Sequence, residues 1–378
     1  MNTKKTANVI VIGSGIVGSS CAYYCVKKGL SVIVLDEDII GNGASSRNGG
    51  GVRAFFRNPL EMPLAKYAID NIWPHLSEEL GVDIEYKQGG NFRLGIGEKE
   101  ESNLRRLAKE GNEQGLKVEL MDQKQVQDFC PYVSPAVTYA AYCKNDGHAN
   151  PMLATLAFYR KAKALGVKYY TGEEAVKLVT IKGKVKQVVT ALGNVYEGDA
   201  VIVAAGCATT KLIQTVGVDM PHAPSLIEAF VTEAMPPMFD FMMGTASSAF
   251  YGHQTKHGSF VFGGGSGLES FNDGYSDSCP TRQITAPSVM RGIMKYFPCL
   301  HDLKIIRTWA GWINHTPDGC AVIGPVDNLP GLYLAAGYTG HGFCMGPVTG
   351  KVLSEVIVGE KPCVSYEQLK LSRFKAKQ

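Results

Sequence analysis

Asn8-Val-Ile-Val-Ile12-Gly13-Ser14-Gly15-Ile16-Val17-Gly18 is the stretch on which the fold turns. A short β-branched run ends at Ile12, glycines follow at 13, 15 and 18, and Ile16, Val17, Cys21, Tyr24 and Cys25 then recur at helical spacing. The reading is strand, glycine turn, helix. Lys27, Lys28 and Gly29 close the helix: the cations meet the negative end of its dipole and the glycine takes a left-handed cap. Ser31 to Leu35 is the next strand, and Asp36 stands at its end, 18 residues after Gly18. Gly13 allows the tight turn, Gly15 lets a pyrophosphate approach the backbone, and Gly18 lets the helix pack on the strand. The helix N-terminus offers unpaired amides to the phosphates, and an acid at position 36 binds ribose hydroxyls. Dinucleotide binding is the expectation; the alternative is an ordinary βαβ unit whose glycines serve only packing.

This fingerprint does not separate FAD from NAD. The segment after it, Gly41-Asn-Gly-Ala-Ser45-Ser46-Arg47-Asn48-Gly49-Gly50-Gly51-Val-Arg53, is long and rich in glycine and hydroxyls where a nicotinamide-binding domain would normally enter a helix. Small residues suit close packing of backbone against a large rigid ligand. A flexible surface loop is the alternative.

Around this segment the chain has 378 residues, 45% hydrophobic and 19% charged, enough for two domains or one core with an inserted second one. Its 38 Lys plus Arg against 35 Asp plus Glu are spread without a basic block, so nothing points to nucleic acid. Ten cysteines without a C-x-x-C pair read as reduced, mostly buried thiols, with no metal site built by this chain alone. The apolar run near the N-terminus is too short for a secretory signal, and no stretch approaches the ~18–20 apolar residues that span a bilayer. A cytoplasmic protein without a membrane span is expected.

Helices are predicted over 61–80, 98–115, 151–165, 288–296 and 346–358, and a short strand region over 87–95. Residues 172–190 alternate as strands around a turn at Lys182 to Lys184, and 198–206 and 331–337 read as buried strands of a parallel sheet. Residues 221–317, with runs such as Gly258 to Gly263, read as a separate, largely antiparallel sheet. The fold class is therefore α/β, with a dinucleotide domain that the chain leaves and re-enters.

Taken in order, GSGIVG, GASSRNGGGVR, DGHANP, VIVAAG, TPDGCAVIG and AAGYTGHGF resemble the D-amino-acid oxidase superfamily of FAD-dependent oxidoreductases almost end to end. The nearest branch is that of sarcosine oxidase β subunits, glycine oxidase, proline dehydrogenase β subunits, and opine oxidase and hydrogen cyanide synthase subunits. The resemblance implies a Rossmann-like, GR2-type FAD-binding domain over 1–85, 146–220 and 318–378. An interleaved α+β substrate domain on an antiparallel sheet would cover 86–145 and 221–317. It further implies that the amides of Ser14, Gly15, Ile16 and Val17 cradle the pyrophosphate between Gly13 and Gly18. Asp36, with Glu37 beside it, would hold the ribose. Ser45, Ser46, Arg47, Asn48, Gly49, Gly50 and Gly51 would lead toward the flavin ring. Val176 would meet the adenine, Ala205 and Gly206 would lie near the cofactor, and Gly337, Gly340, His341, Gly342, Phe343 and Met345 would face the ring.

The implied chemistry is hydride removal from the carbon next to an amine nitrogen, giving an imine. The site would favour the neutral amine, with a histidine taking the proton or desolvation lowering the amine's pKa. His253, His315 and Tyr251 are the candidates on the substrate side; the alternative is that they only pack. Three departures from the family pattern stand out. Trp312-Ile-Asn-His315 replaces the segment that supplies a carboxylate-binding Arg or Tyr, which leaves Arg53 or Arg307 as substitutes. Gly311 occupies the place of a flavin-linking cysteine, so FAD is expected to be non-covalent. No lysine in Ser259 to Phe262 matches the oxygen-activating one, with Lys256 close by in a turn. The implied protein is a dehydrogenase subunit for a small amine or amino acid, such as proline, hydroxyproline, an opine or sarcosine. Its partner subunits would carry the electron acceptor, an FMN or an iron–sulfur cluster. A stand-alone oxidase producing hydrogen peroxide and a non-catalytic FAD-holding subunit are the alternatives.

Overall fold

The structure is a computed structural model that describes residues 4–267, 275–276 and 278–374. Its first layer is a six-stranded sheet ordered Val322–Pro325, Leu332–Ala336, Ala200–Val203, Val9–Ile12, Val32–Asp36, Lys168–Thr171. All neighbours run parallel except Val322–Pro325, which pairs antiparallel at the edge. Val9 to Ile12 are buried on both faces, which is why this strand is an unbroken apolar run. The helix Ile16–Lys27 follows it and ends as its sequence predicts, with Gly29 at φ +81°.

The last helix, Gly342–Ile357, packs on this first one through small residues. A Cβ on Gly350 would lie 2.5 Å from the backbone carbon of Ser20, and Ser20 Oγ donates to the Gly346 carbonyl at 2.7 Å. That closeness buries both helices against the same sheet face. The helix starts four residues before the predicted Gly346, with Pro347 inside it.

An eight-stranded sheet forms the second layer, ordered Ile305–His315, Ala223–Ala234, Ser259–Gly264, Tyr251–Gln254, Met242–Thr245, Asn91–Gly95, Tyr139–Cys143, Val118–Asp122. Its pairs are antiparallel except Met242–Thr245 with Asn91–Gly95. Phe92, Phe230, Phe250, Phe260 and Phe262 fill a core of their own on one face.

Three segments differ from the sequence expectation. The helix over 61–80 is broken into Met62–Asn71, a 3-10 turn Trp73–His75 and Leu76–Leu80, because Pro74 has no N–H to continue the ladder. The strand region over 87–95 contracts to Asn91–Gly95. Val118–Asp122 and Gln123–Phe129 form a strand and helix that periodicity does not announce; Asp122 and Gln125 cap the helix reciprocally.

Candidate functional site

The carboxyl ends of the parallel strands and one face of the eight-stranded sheet enclose a cavity of about 1140 Å³. Open α/β sheets bind ligands at this edge. The volume exceeds the ~300–1,000 Å³ of ordinary small-molecule sites and suits a long ligand with a second molecule beside it.

At one end the glycine turn is built for close approach. Gly13 sits at φ +101°, and a Cβ there would lie 2.4 Å from the Ala204 carbonyl oxygen; one on Gly18 would lie 1.8 Å from the Gly13 oxygen. Gly15, Ile16 and Val17 face the cavity with Asp36, Glu37 and Val176. The cradle differs from the expected one at two amides. Ser14 N–H and Oγ–H both donate to Asp36 Oδ2 at 2.6 Å, and Ile16 N–H donates to Ser45 Oγ at 2.9 Å. Ser14 therefore lies behind the cavity wall, orienting Asp36.

The loop from Gly41 to Arg53 is fastened from within. Arg47 Nη1 donates to the Asn42 and Gly43 carbonyls, and Trp309 Nε1 donates to the Arg47 carbonyl at 2.9 Å. Ser45, Arg47, Asn48, Gly49 and Gly51 line the cavity. Gly50 does not: at φ +73°, with its Cβ position 2.4 Å from the Ala149 oxygen, it makes the bend that presents its neighbours. Ser46 lines a different cavity. On the far wall Ala205, Gly206, Gly337, Gly340, His341, Gly342 and Phe343 face the cavity, whereas Met345 is fully buried in the apolar core.

The opposite end lies in the eight-stranded sheet. The Tyr251 ring is wedged between two glycines; a Cβ on Gly49 would lie 2.9 Å from its Cε2 and one on Gly263 would lie 2.4 Å from its Cζ. His315 lines the same space, its Nε2 2.7 Å from Ser225 Oγ, and burial lowers its pKa. Arg53 is present, but its Nη1 is spent on the Phe55 and Phe56 carbonyls at 2.9 and 2.8 Å. Arg307 is exposed on the surface, 5.1 Å from the Trp309 ring centre, away from the cavity.

Residues that the sequence reading passed over surround Arg53. Arg57 and Arg93 line the cavity and are buried, and Asp146 and Glu61 are fully buried beside them. Asp146 accepts from Ala54 N–H at 2.7 Å, from Phe55 N–H at 3.3 Å and from Asn91 Nδ2 at 3.1 Å. Glu61 accepts from Ala321 N–H and faces His341 Nδ1, both at 2.7 Å. Burial pushes the Glu61 carboxyl up, but His341, Arg57 and the Ala321 amide together hold it below the ordinary value. Burial, aided by Arg57, pulls His341 down to about 4. Arg57 disfavours a second cation, so the pair is an ionised Glu61 and a neutral His341 whose Nδ1 carries the proton. The signal for Arg93 was legible: a charge at the centre of the buried strand Asn91–Gly95.

His253 is not in this cavity. It lines a second one of about 580 Å³, with Ser46, His148 and Lys256. Its side chain shares a sheet face with that of Tyr251, two residues earlier on the same strand, and the loop through Gly49 and Gly50 separates the two: Tyr251 packs on Gly49, and His253 Cε1 lies 3.4 Å from a Cβ placed on Gly50. There it stacks on His148 at 3.9 Å between ring centres, with His253 Nδ1 and His148 Nε2 both buried and without partners. Burial first, then His148, drives its pKa well below the ordinary value. Lys256 pairs with Asp83 at 2.7 Å. His253 thus abuts the loop from the side away from the large cavity. With the expected flavin in the large cavity, His315→Ala, which opens that end to water, should slow flavin reduction at least about 10-fold while His253→Ala leaves it within about 2-fold, read by stopped-flow absorbance; the reverse order would favour His253.

The profile of the family described as FAD dependent oxidoreductase (DAO) matches residues 8–356. The beta subunit of sarcosine oxidase from Arthrobacter sp is 26% identical over 98% of this chain and 92% of that one. An opine oxidase subunit of Rhizobium meliloti is 26% identical over 88% of this chain and 89% of its own. Among solved structures, L-proline dehydrogenase from P. horikoshii superimposes with a TM-score of 0.90 at 29% identity, covering 98% of both chains. Since the profile runs through both sheets and every wall of the large cavity, the chain belongs to the FAD dependent oxidoreductase family.

Proposed function

We propose that the chain is the catalytic, β-type subunit of a heteromeric FAD-dependent dehydrogenase that oxidises a small amine or amino acid, of the proline, hydroxyproline, opine or sarcosine kind, to its imine. In this reading 1–85, 146–220 and 318–378 hold the cofactor, and 86–145 and 221–317 hold the substrate. The observation that carries it is one cavity in which a glycine-walled groove meets a buried, positively charged end. Support for the heteromer comes from relatives named as subunits.

The cavity fits FAD. Gly13, Gly15 and Gly49 leave no room for a Cβ along its wall, and Asn314 Oδ1, buried without a partner, faces it ready to accept from a ring N–H. When bound, FAD supplies the hydride acceptor. Gly15 and Val17, at the positive end of the first helix, would hold the pyrophosphate and Asp36 a ribose. Gly311, in the place of a flavin-linking cysteine, offers no thiol for attachment, which supports a non-covalently held cofactor although Cys207 and Cys279 also line the cavity. His341, fixed by Glu61, presents a neutral imidazole with Nε2 as an acceptor. Tyr251 and His315 cover the substrate side and keep water out. Among the described residues no helix is long and apolar enough to cross a membrane; we place the protein in the cytoplasm on the strength of its ten unpaired cysteines.

Anaerobic bleaching of the flavin against a panel of amines and amino acids of both hands, followed by air, tests the reading. Bleaching by one substrate with slow return of colour is expected. Rapid return with peroxide would make it an oxidase, and no bleaching by any amine would remove the catalytic assignment. The bleaching rate should rise with pH across about 7–10, because the histidines of the cavity are pulled down by burial and leave the amine's own proton as the one that matters. Its midpoint should move with the pKa of the amine offered. A fixed step near pH 6.5 for every substrate would mean a histidine base instead.

A further inference from the structure

We propose that Arg93 is the anion anchor of the substrate end, selecting amines that carry a carboxylate. This deepens the amine-oxidising reading and rests on it. Arg53, Arg57 and Arg93 bring three positive charges to this end, and Glu61 and Asp146 bring two negative ones, which leaves one positive charge in excess. The three guanidiniums are not equivalent. Arg53 is tied to two carbonyls. Arg57 Nε donates to the Arg53 carbonyl at 2.6 Å, and its Nη1 lies 3.9 Å from Glu61 Oε2. Arg93 has neither kind of partner: its Nε is buried without a hydrogen bond, and no carboxylate among the described residues lies within ion-pair distance of it. Asp146, the negative charge that acts on it, already accepts from Ala54, Phe55 and Asn91.

The surroundings hold Arg93 in place without discharging it. Gly244 stands opposite it on the adjacent strand, and a Cβ there would lie 2.5 Å from Arg93 Nη1, so a side chain at 244 would push the guanidinium from this position. The guanidinium lies 4.6 Å from the Phe56 ring centre. Phe56 itself is held at φ +67°, a left-handed conformation that a bulky residue rarely adopts, and such strain collects at binding sites. Burial of an unpaired guanidinium is unfavourable, and a carboxylate arriving from the cavity relieves it with a charge-assisted, two-pronged hydrogen bond. This gives the chain an anchor on a different strand from the Trp312 to His315 segment, which carries no cation.

The test uses the purified FAD-loaded protein and does not need turnover. Cyclopentanecarboxylate and its neutral counterpart cyclopentylmethanol are titrated against the flavin absorbance of the wild type, Arg93→Met and Arg93→Lys. The wild type should prefer the acid; Arg93→Met should bind it about 100-fold more weakly, Arg93→Lys should fall between, and the alcohol should bind all three alike. Arg93→Met should also melt no lower than the wild type, since it removes a buried charge without a partner. Wild-type acid binding that is absent, unchanged in Arg93→Met, or lost in parallel with the alcohol would overturn the anchor. Acid binding that follows Arg93 in a protein no amine can bleach would instead overturn the catalytic reading and leave the anchor standing.

Discussion

Gly15→Val yields a folded protein that is purified colourless. Gly15 lies at φ −65°, where the backbone accepts any residue, so the effect is one of space alone. Its Cβ position is 2.8 Å from Ser45 Oγ, the atom that receives the Ile16 amide, and two further methyls would fill the mouth of the helix N-terminus. An anion of pyrophosphate size then loses both its room and its approach to the amides. FAD affinity should fall at least about 100-fold, equivalent to about 3 kcal/mol, read as the ratio of flavin to protein absorbance after dialysis, with circular dichroism as the check on folding. A variant that keeps stoichiometric FAD would move the cofactor away from this turn.

The largest stability effect should come from Asp146→Ala. The carboxylate is the point at which the cofactor loop, through Ala54 and Phe55, is fastened to the strand Asn91–Gly95 through Asn91. Removing it leaves two buried amides without an acceptor and three guanidiniums with Glu61 as their one buried counter-charge, a loss of about 3–5 kcal/mol. Thermal or urea melts check it; a loss below about 1 kcal/mol would mean that water takes over the role. Burial pushes this carboxyl up to about 6, above the ~3.9 of an unfolded chain. A group raised in this way favours the fold when protonated, so its contribution is complete below about pH 4 and lost as pH rises through 6. Asp146→Asn should lack that slope.

What the sequence made legible follows from local chemistry. The turn at Gly13 to Gly18 and the strand ending at Asp36 depend on glycine conformations and β-branching within thirty residues, and the structure has them where expected. The break at Pro74 and the Asp122–Gln125 cap were also written locally, in a missing N–H and a reciprocal side-chain pair, but lay inside or beside patterns that periodicity read differently. The substrate end was legible only as the lone charge of Arg93 inside a buried strand; its assembly was not, because it is made by pairing. Arg93 meets Arg53 only through Asp146 and its neighbours, and its accommodation depends on Gly244, a residue about 150 positions away that register alone sets opposite it. His253 lines a different cavity from Tyr251 for a related reason: the two share a sheet face, but the loop through Gly49 and Gly50, brought there from about 200 positions away, packs between them and divides the space.

The parallel sheet has its central strand near residue 10 and is completed by a strand near residue 334 and the helix that packs on Ile16–Lys27 through Gly346 and Gly350. At ~5–20 residues per second a ribosome takes about 20–75 s over such a chain. The first-made strand must wait nearly all of that time for its last neighbours, with Val9 to Ile12 and one side of the first helix open to unwanted association. Truncation within the last helix would therefore yield nascent chains that depend on chaperones and cannot retain the cofactor. Loading with FAD therefore waits on the strand near residue 334 and the helix that follows it.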